Sequence, residues 1–404
     1  MKILVINGDC IQVNTSANLC HLAYIKGLVD SGHEVTLLSA DGRDYDLDPA
    51  MKIPECVSCH TYYGVSLYEK LAIRKKKQKK DPPIVSNRQN ESGEKKRKSI
   101  TQVCKEKVLS LYGVHGIYAT FVRKAQKFYS NEEYDYVLSL STPVTSHLLA
   151  HNLIQSGHIH CRYWIQIWED PWYSDAFGFN RRPEILAEER RLLSFAERVC
   201  YVSPITLANQ KKLFPESAGK MYWQPVPSYY DENSLSNTII HQTIYGYFGN
   251  YYSVARNLTP FYEAAKKSGI SAFICGDSNN AYPSTDTICV FPRLSLEKIR
   301  PMEENTSVLV FLCNRQGGQI PGKIYQYSAT DKTILFILDG TEEEKSELKN
   351  YFSQFNRYVF CENTEEDIIR AIRLIESRDL GNISNCPLHD FEPKKIISRV
   401  LEGI

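Results

Sequence analysis

The sequence predicts an α/β protein built from two doubly wound, Rossmann-like domains that face each other across a cleft. Apolar runs typical of buried parallel strands alternate with helical periodicity in both halves of the chain. At 404 residues the chain exceeds one ordinary core, and residues 225–242, rich in proline, serine and asparagine, have the composition of a linker. Because ligands bind such sheets at the carboxyl ends of their strands, the cleft is the predicted site.

Residues 1–224 form the first predicted domain. Its first strand is short and apolar, and the helix after it carries an apolar residue every three or four positions until Gly32. The predicted strands are Lys2–Ile6, Glu34–Leu38, Val57–Tyr63, Tyr136–Leu140, Arg162–Ile167, Val199–Val202 and Met221–Trp223, and the predicted helices are Ala17–Asp30, Val103–Tyr129, Val144–Gln155, Pro183–Ala196 and Pro204–Phe214.

Residues 243–385 form the second predicted domain, which repeats the alternation, and residues 386–404 are expected to form a C-terminal helix that packs back on the first domain. The predicted strands are Thr243–Phe248, Ala272–Cys275, Thr287–Phe291, Val308–Leu312, Thr333–Leu338 and Tyr358–Cys361, and the predicted helices are Val254–Lys267, Leu296–Met302, Pro321–Ala329, Glu342–Phe355 and Glu365–Ser377.

The composition is typical of a soluble globular protein, with 43% hydrophobic and 24% charged residues. The N-terminus lacks the pattern of a signal peptide, and no apolar run approaches the roughly 18 residues that span a bilayer. We therefore predict a cytoplasmic protein with reduced cysteines. Cys56-Val-Ser-Cys59-His60 matches the pattern of c-type haem attachment, but without an export signal we interpret it as a strand start with two core thiols.

Positive charge is concentrated in residues 70–107, a basic excursion of the first domain with fourteen Lys or Arg and four Asp or Glu. Three interpretations stay open. A solvated segment is the simplest. Nucleic acid is disfavoured, because no aromatic side chains are interleaved with the charge. An anionic membrane surface fits best, at about 1 kcal/mol per basic residue, and it predicts peripheral association with a membrane.

A glycine-rich turn in the second half predicts a phosphate site. Gly317 and Gly318 precede Pro321, which is suited to begin a helix, and Lys323 lies in the first turn of that helix. The backbone N–H groups of Gly317, Gly318 and Ile320, together with the lysine ammonium, suit a phosphate.

A second turn of the same kind follows the strand Thr243–Phe248. Gly249 and Asn250 form the turn, and Arg256 lies one turn into the next predicted helix, where its guanidinium can bind an anion bidentately. An exposed arginine on a helix face is the alternative. Because both turns end parallel strands, Arg256 and Lys323 are predicted to meet one diphosphate.

These blocks resemble family 4 of the retaining GT-B glycosyltransferases. Tyr247-Phe248-Gly249-Asn250, then Arg256-Asn257-Leu258 and Glu263-Ala264, is similar to one block of that family, and Pro321-Gly322-Lys323-Ile324-Tyr325-Gln326-Tyr327 is similar to its P-x-K-x-x-E-Y block. Gly32-His33-Glu34-Val35-Thr36, Tyr201-Val-Ser203 and Leu213-Phe214-Pro215 are similar to blocks of its first domain. The resemblance covers nearly the whole chain.

The resemblance implies a nucleotide-sugar donor bound by the second domain and a glycan or lipid-linked acceptor bound by the first. It implies that Arg256 and Lys323 neutralise the donor diphosphate, so that neither a metal nor a cofactor is required. Gly249, Asn250 and Gln326 are then expected at the donor nucleoside. The implied activity is sugar transfer with retention, in the synthesis of a surface polysaccharide such as capsule or O-antigen.

The sequence departs from the family at two positions where glutamates are usual. Gln326 can still bond a ribose hydroxyl through its amide oxygen, whereas Gly318 cannot replace a carboxylate that contacts the transferred sugar. Two alternatives stay open, of which this departure favours the first and argues against the second. One is a non-catalytic GT-B subunit that binds nucleotide and activates a partner, and the other is a sugar-nucleotide epimerase.

The carboxyl end of the predicted strand Arg162–Ile167 is expected to supply the catalytic groups. Glu169 or Asp170 is suited to position an acceptor hydroxyl or to act as a base, and the rings of Trp168 and Trp172 are suited to stack on a sugar. The equal alternative is a loop whose aromatic rings cover the core and whose acids are solvated.

Two further loops of the first domain carry polar side chains. Asn14 and Thr15 follow the first strand and are expected at the edge of the cleft, with a helix N-cap at Thr15 or Ser16 as the equal alternative. Asp44-Tyr-Asp46-Leu-Asp48 matches the D-x-D of metal-dependent transferases superficially, but its place after the second strand favours a solvated acidic loop.

Overall fold

The structure is a computed structural model that describes residues 1–78, 112–175, 181–232, 234–235 and 242–403. Within these ranges the chain forms two α/β domains, each built on one parallel sheet. No helix in the described ranges is both long and apolar enough to cross a membrane.

The first domain contains a seven-stranded parallel sheet. Its strands are β1 (Lys2–Asn7), β2 (Glu34–Ala40), β3 (Ser58–Tyr62), β4 (Glu133–Ser141), β5 (His160–Trp168), β6 (Arg198–Tyr201) and β7 (Met221–Trp223), and its helices are α1 (Ser16–Asp30), α2 (Leu67–Gln78), α3 (Ala119–Ala125), α4 (Thr145–Gln155), α5 (Pro183–Phe195) and α6 (Pro204–Leu213). The strand order is β3-β2-β1-β4-β5-β6-β7.

The second domain contains a six-stranded parallel sheet. Its strands are β8 (Ile244–Phe248), β9 (Ser271–Cys275), β10 (Ile288–Phe291), β11 (Val308–Leu312), β12 (Thr333–Leu338) and β13 (Tyr358–Glu362), and its helices are α7 (Thr259–Ser268), α8 (Leu296–Glu304), α9 (Lys323–Ser328), α10 (Glu342–Ser353) and α11 (Glu365–Glu376), followed by α12 (Pro393–Glu402). The strand order is β10-β9-β8-β11-β12-β13.

In both sheets the order in which successive strands are added reverses at a switch point, which lies between β1 and β4 in the first domain and between β8 and β11 in the second. The central strands are buried on both faces, as parallel sheets covered by helices require; every residue of β11 is buried. A crevice forms outside the carboxyl ends of the strands at each switch point, because the helices on either side leave in opposite directions. These two crevices are where a ligand of each domain is expected.

Helix α12 follows the second domain in sequence but packs against α1 of the first. Gly27 makes this approach possible, since a Cβ at that position would collide with the backbone carbonyl of Pro393. Ile396 and Val400 of α12 are fully buried, and the Tyr222 hydroxyl donates to the Val400 carbonyl at 2.7 Å. The chain therefore crosses between the domains at residues 224–243 and returns at its end.

Several sequence-based expectations about local structure are wrong. The helix predicted from Val254 begins at Thr259, with Pro260 in its first turn, so residues 254–258 belong to the loop after β8. Cys56 and Cys59 are exposed rather than core thiols, because β3 is an edge strand of which most residues face solvent.

Two expectations fall wholly or partly outside the described residues. Of the helix predicted at Val103–Tyr129, the described part consists of a 3₁₀ turn at Gly116–Tyr118 and α3. Of the basic excursion at 70–107, the structure describes the end of α2 up to Gln78, and its proposed membrane contact lies otherwise outside the described ranges.

Candidate functional site

A cavity of about 260 Å³ lies in the cleft between the two domains, at the carboxyl ends of β8 and β9. The first domain contributes Asn14, Ser16 and Leu19 to its wall. Among the residues that the second domain contributes are Gly249, Asn250, Arg256, Arg293, Lys323 and Gln326. All of the predicted nucleoside contacts and both predicted cations therefore face one cavity.

A second cavity, of about 170 Å³, adjoins the first. Its wall includes Glu169 and Asp170, which follow β5, together with Asn314 and Ile320 from the second domain. The two cavities share four wall residues, namely Ser16, Arg256, Pro321 and Gly322. Of the predicted anion-binding residues, Arg256 thus lies where the cavities meet, and the predicted catalytic acids line the second cavity alone.

Arg256 is fixed at the switch point of the second sheet by two neutral partners. Its Nε donates to Asn314 Oδ1 at 2.9 Å, and its Nη1 donates to the Asn250 carbonyl at 2.9 Å. Asn250 follows β8 and Asn314 follows β11, so the guanidinium bridges the two strands on either side of the crevice. Because neither partner is an anion, the positive charge of Arg256 is not neutralised by these bonds.

Lys323, in contrast, has an anionic partner. Its Nζ lies 2.8 Å from Glu303 Oε1, and the Glu303 side chain is fully buried. The second oxygen of Glu303 accepts a bond from the Tyr230 hydroxyl at 2.6 Å. The lysine predicted to bind phosphate therefore lines the cavity with its charge already paired, and a diphosphate would have to share it with Glu303.

Gln326 offers an unused acceptor to the first cavity. The residue is buried, and no donor among the described residues reaches its Oε1. A buried oxygen without a partner is costly, at roughly 1–3 kcal/mol, and a ligand hydroxyl would remove that cost. The placement fits the expectation that Gln326 meets a ribose hydroxyl.

The glycine turn at 317–318 lies against the first domain rather than in either cavity wall. Gly318 has a positive φ of +66°, and its carbonyl accepts a bond from the Ser203 hydroxyl at 2.5 Å. A Cβ at Gly318 would overlap the side chain of Ile205. Because neither Gly317 nor Gly318 lines either cavity, the structure gives no support to their predicted role as phosphate donors, which stays a prediction.

Ile320 and Gln319 continue this turn into the second cavity. The side-chain amide of Gln319 donates to Asp170 Oδ1, which ties the turn to the acids after β5. Of the three predicted backbone donors, Ile320 alone lines a cavity.

Glu169 and Asp170 both line the second cavity, where the Glu169 side chain is largely buried and Asp170 is exposed. Burial raises the pKa of the Glu169 carboxyl, while the charge of His21 and hydrogen bonds from His21 and Cys20 oppose that rise. Burial also raises the pKa of Asp170, against the bond from Gln319. The alternative of solvated acids is therefore wrong for Glu169 but describes the exposed Asp170, and the pKa of each carboxyl is raised above its ordinary value.

Trp168 and Trp172 do not present their rings to the cleft, which corrects their predicted stacking role. Trp168 is fully buried, its ring centroid lies 4.4 Å from that of His147, and its Nε1 donates to Gln166 at 3.0 Å. The Trp172 ring stacks on His115 at 5.1 Å. Trp168 lies on the same face of β5 as Trp164 and Gln166, four and two positions before it, and all three side chains are buried.

Asn14 lies at the mouth of the first cavity and links the domains. Its carbonyl accepts a bond from Arg293 Nη2 at 2.8 Å, and its side-chain amide donates to Asp48 Oδ2 at 2.9 Å. Asp48 is buried and also accepts from the backbone N–H of Leu296 at 3.0 Å. The expectation of a solvated acidic loop is therefore wrong for Asp48. Thr15 accepts from Asn18 N as the N-cap of α1.

The sequence reasoning missed several residues of the site: His21, Arg293, Glu303 and Asn314. Asn314 and Arg293 each follow a parallel strand, so the rule that identified Arg256 was available for both. His21 and Glu303 lie inside helices, and only their tertiary contacts mark them. Among the described residues no group of three His, Cys, Asp or Glu side chains is arranged to hold a metal ion.

Comparison with known proteins gives the fold its name. No family model matches the sequence, and no curated protein matches it. Solved structures do match across nearly the whole chain. A sucrose-phosphate synthase from Thermosynechococcus elongatus superposes with a TM-score of 0.56 at 12% identity, covering 99% of this chain and 94% of that one.

Two further structures agree with this match. A glycosyltransferase from Rickettsia africae superposes with a TM-score of 0.53 at 12% identity and covers 100% of this chain and 92% of its own. The chain has the GT-B fold. A UDP-N-acetylglucosamine 2-epimerase reaches a TM-score of 0.56 at 10% identity, covering 99% of this chain and 94% of that one. Identities this low establish the GT-B architecture alone.

Proposed function

We propose that the protein is a retaining glycosyltransferase that moves a sugar from a nucleotide-diphosphate donor to a glycan or lipid-linked acceptor. The observation that carries the proposal is the position of Arg256. Its guanidinium is anchored by Asn250 and Asn314 and lies where the two cavities meet. A donor spanning both cavities would place its diphosphate at this charge.

The first cavity suits the nucleoside. Gly249 and Asn250 form its wall at the end of β8, and the unpartnered Gln326 oxygen can accept a ribose hydroxyl. Arg293 adds a second cation at the mouth, held by the Asn14 carbonyl. A nucleoside diphosphate offers the complementary hydroxyls and negative charge.

The second cavity suits the transferred sugar and the acceptor. Departure of a nucleoside diphosphate develops negative charge on the phosphate oxygens, and a pre-positioned guanidinium stabilises that charge without reorganising. The charge of Arg256 thus supplies what a divalent ion supplies in metal-dependent transferases, and we propose that no metal is required. Glu169 and Asp170 line the same cavity, where an acceptor hydroxyl would approach.

A direct test measures binding and turnover with the purified full chain. A thermal-shift screen with UDP, GDP and ADP, followed by calorimetry, is expected to show stabilisation by one of them in the presence of EDTA. Turnover of the matching nucleotide sugar with polyisoprenyl phosphate or oligosaccharide acceptors would release that diphosphate, and proton NMR of the product reports the anomeric configuration. Failure of all three nucleotides to bind at millimolar concentration contradicts the proposal. Turnover by the chain alone rules out the alternative of a non-catalytic subunit.

The proposed setting is surface polysaccharide synthesis at the inner face of the cell membrane, with residues 70–107 attracted to anionic lipid. Flotation with vesicles of anionic phospholipid is expected for the intact chain and lost when Lys75–Lys80 are replaced by serine. Flotation that is unaffected by this replacement contradicts the membrane contact and leaves the transferase proposal standing.

A UDP-N-acetylglucosamine 2-epimerase is the second candidate, because a protein of that name superposes with a TM-score of 0.56. An epimerase would convert UDP-N-acetylglucosamine with no acceptor present, and the sugar would exchange its C2 proton with D₂O. Proton exchange at C2 without an acceptor favours the epimerase. Release of diphosphate that depends on an acceptor favours the transferase.

A further inference from the structure

A buried histidine contacts one of the two acids that line the second cavity. His21 lies on α1 and is fully buried. Its Nδ1 lies 2.9 Å from Asn7 Oδ1, and its Nε2 lies 3.3 Å from Glu169 Oε1 and 3.4 Å from the Ser141 carbonyl. Asn7 ends β1, Ser141 ends β4 and Glu169 follows β5, so His21 closes the switch point of the first sheet.

The contacts of Asn7 determine which ring nitrogen of His21 carries a hydrogen. The Asn7 Nδ2 donates to the Asp9 carbonyl at 2.9 Å, which turns its Oδ1 toward the ring. An amide oxygen only accepts, so His21 Nδ1 is the donor of the 2.9 Å bond. A neutral imidazole carries one N–H, and in a neutral His21 that hydrogen is on Nδ1.

The other nitrogen, Nε2, then faces two acceptors, Glu169 Oε1 and the Ser141 carbonyl. If Nε2 carried no hydrogen and Glu169 were ionised, their lone pairs would face each other in a buried site, which is unfavourable. Apart from His21 Nε2, no donor among the described residues reaches Glu169 Oε1. One additional proton between His21 and Glu169 resolves both problems, either as an imidazolium beside a carboxylate or as a neutral ring beside a carboxylic acid.

We propose that His21 is a positioning residue that shares one proton with Glu169, so that Glu169, and not Asp170, exchanges a proton with the acceptor hydroxyl. This inference rests on the proposed transferase function. Asp170 is engaged by the side chain of Gln319 across the domain contact. Glu169 lines the cavity and is backed by a group that can hold its proton.

The proton balance of the step is simple. When the proton of the dyad is on His21, the acceptor O–H bond breaks and its proton passes to the Glu169 carboxylate. The acceptor oxygen bonds to the anomeric carbon on the same face from which the diphosphate departs, which retains the configuration, and the bond from that carbon to the diphosphate oxygen breaks with its electron pair leaving on the diphosphate. The dyad then loses the additional proton to solvent and returns to its resting state.

Charged and titratable neighbours on the surrounding elements act on the pKa of Glu169 in the dyad. Cys20 on α1 bonds to Glu169 and, with His21, opposes the effect of burial, whereas the charge of Asp170 after β5 raises the Glu169 pKa further. Tyr24 of α1 and Asp9 after β1 also lie within electrostatic range of the dyad.

His147 on α4 is the other histidine beside the dyad. Burial, and then the charge of His21, lowers its pKa to about 3, so it stays neutral. Its Nδ1 bonds to the Ser139 hydroxyl at 2.7 Å. His147 therefore provides a matched control, a buried ring near the dyad that does not contact Glu169 in the described structure.

Nitrogen NMR of the ¹⁵N-histidine-labelled full chain tests the shared proton without any activity assay. We expect the His21 ring to carry a hydrogen on Nδ1 at every pH between 5 and 9, and the Nε2 signal to report a proton shared with Glu169. In Glu169→Gln the new amide can donate to Nε2, so His21 is expected to stay neutral with Nδ1–H over the whole range. A neutral ring protonated at Nε2 in the wild type overturns the inference.

Kinetics tests the consequence. His21→Gln is expected to lower kcat by roughly 10²-fold and to flatten its pH dependence, because general acid–base catalysis contributes about 10²–10⁴-fold. The donor KM is expected to change by less than about two-fold, and His147→Gln is expected to keep the wild-type pH profile. An unchanged pH profile in His21→Gln refutes the role of His21. Lack of turnover in the wild type refutes the proposed function instead, while the NMR result stands by itself.

Discussion

The switch points of the two sheets have the same topology and opposite chemistry. In the second domain the crevice between β8 and β11 holds a guanidinium, Arg256, whose anchors Asn250 and Asn314 are neutral. In the first domain the crevice between β1 and β4 holds His21, a buried ring in contact with the acid Glu169.

Under the proposed transferase function, this difference divides one reaction between the two halves of a repeated scaffold. A fixed cation with neutral anchors keeps its charge for a ligand anion, and this suits the departing diphosphate. A buried acid whose pKa is raised by burial accepts a proton more readily than a free carboxylate, and this suits the proposed exchange with the acceptor hydroxyl. The fold positions both, because each lies at the carboxyl end of a central strand and the two crevices meet in the cleft.

The largest expected effect comes from removing the cation. Arg256→Ala is expected to lower turnover of the donor by about 10²–10³-fold, the usual effect of losing one pre-positioned group that stabilises developing charge. Initial rates and calorimetric affinity for the nucleoside diphosphate measure the change. Arg315→Ala is the control, since Arg315 is exposed nearby, bonds to the Ser253 carbonyl and is not part of either cavity wall. Equal losses in both variants would contradict the assignment of Arg256.

The next prediction tests whether burial raises the pKa of a first-domain acid, Glu189, by measuring how the free energy of unfolding depends on pH. Burial raises the pKa of Glu189 to about 7, against a backbone bond from Tyr173. Its folded pKa exceeds the unfolded value near 4.5, so its contribution to stability is full below about 4.5 and is lost as pH rises through 7. We expect Glu189→Gln to match the wild type near pH 4.5 and to exceed it by on the order of 3 kcal/mol at pH 8.

Urea unfolding at several pH values measures this difference. The adjacent Glu188 is a control of opposite sign. Burial would raise its pKa, but hydrogen bonds from Arg191 and His115 outweigh burial and lower it to about 2. Its stabilising effect is present above about 4.5 and is lost as pH falls toward 2, so Glu188→Gln is expected to lose stability at neutral pH. A flat difference between wild type and Glu189→Gln across pH 4.5–8 would show that Glu189 is not perturbed.

A third prediction concerns the contact that brings the two regions together. Gly318→Ala is expected to destabilise the protein by about 1–3 kcal/mol, because the new methyl group overlaps Ile205 and the backbone is left-handed. Gly381→Ala is the control, since Gly381 has a positive φ of +56° and no atom within 4 Å of the added carbon. The excess loss at Gly318 should be recovered by adding Ile205→Ala, and a loss equal to that of the control would contradict the close domain contact.

The smallest effect sharpens the contrast between the two cations of the cavity. Glu303→Gln removes the anion that pairs with Lys323 and is expected to tighten binding of the nucleoside diphosphate by roughly five-fold, about 1 kcal/mol. Calorimetry with the diphosphate measures it, and Glu304→Gln, the neighbouring acid on α8 outside the cavity wall, should bind as the wild type does. Weaker binding in Glu303→Gln would mean that Glu303 orients Lys323 rather than competing for it.

The fold was predictable from the sequence because its signals are local. Short apolar runs alternate with helical periodicity, and this pattern alone indicates two doubly wound domains. Arg256 was predictable for the same reason, as a cation just after a parallel strand. That Arg256 lies in a loop rather than in a helix was not predictable. The helical periodicity extends N-terminal to Pro260, although the helix itself begins at Thr259 with this proline in its first turn.

The contacts that tune the site were not predictable, because they join residues distant in sequence. Asp48 lies in an acidic segment and was predicted to be solvated. It is buried, and its carboxylate accepts a hydrogen bond from the backbone N–H of Leu296, 248 residues away. The pairing of Lys323 with Glu303 depends on how α8 and α9 pack. Trp168 is different: its strand alternation placed it on the face of Trp164, and that signal was available in the sequence.

The position of α12 has a consequence for how the chain folds during its synthesis. This helix packs on α1, so the part of the α1 surface that it covers stays uncovered until residues 393–402 have been translated. At about 5–20 residues per second, the interval between Asp30 and Pro393 amounts to roughly 20–70 s on the ribosome. The first domain is made first and finished last, so the nascent chain carries an exposed helix face that holdase chaperones would recognise throughout that interval.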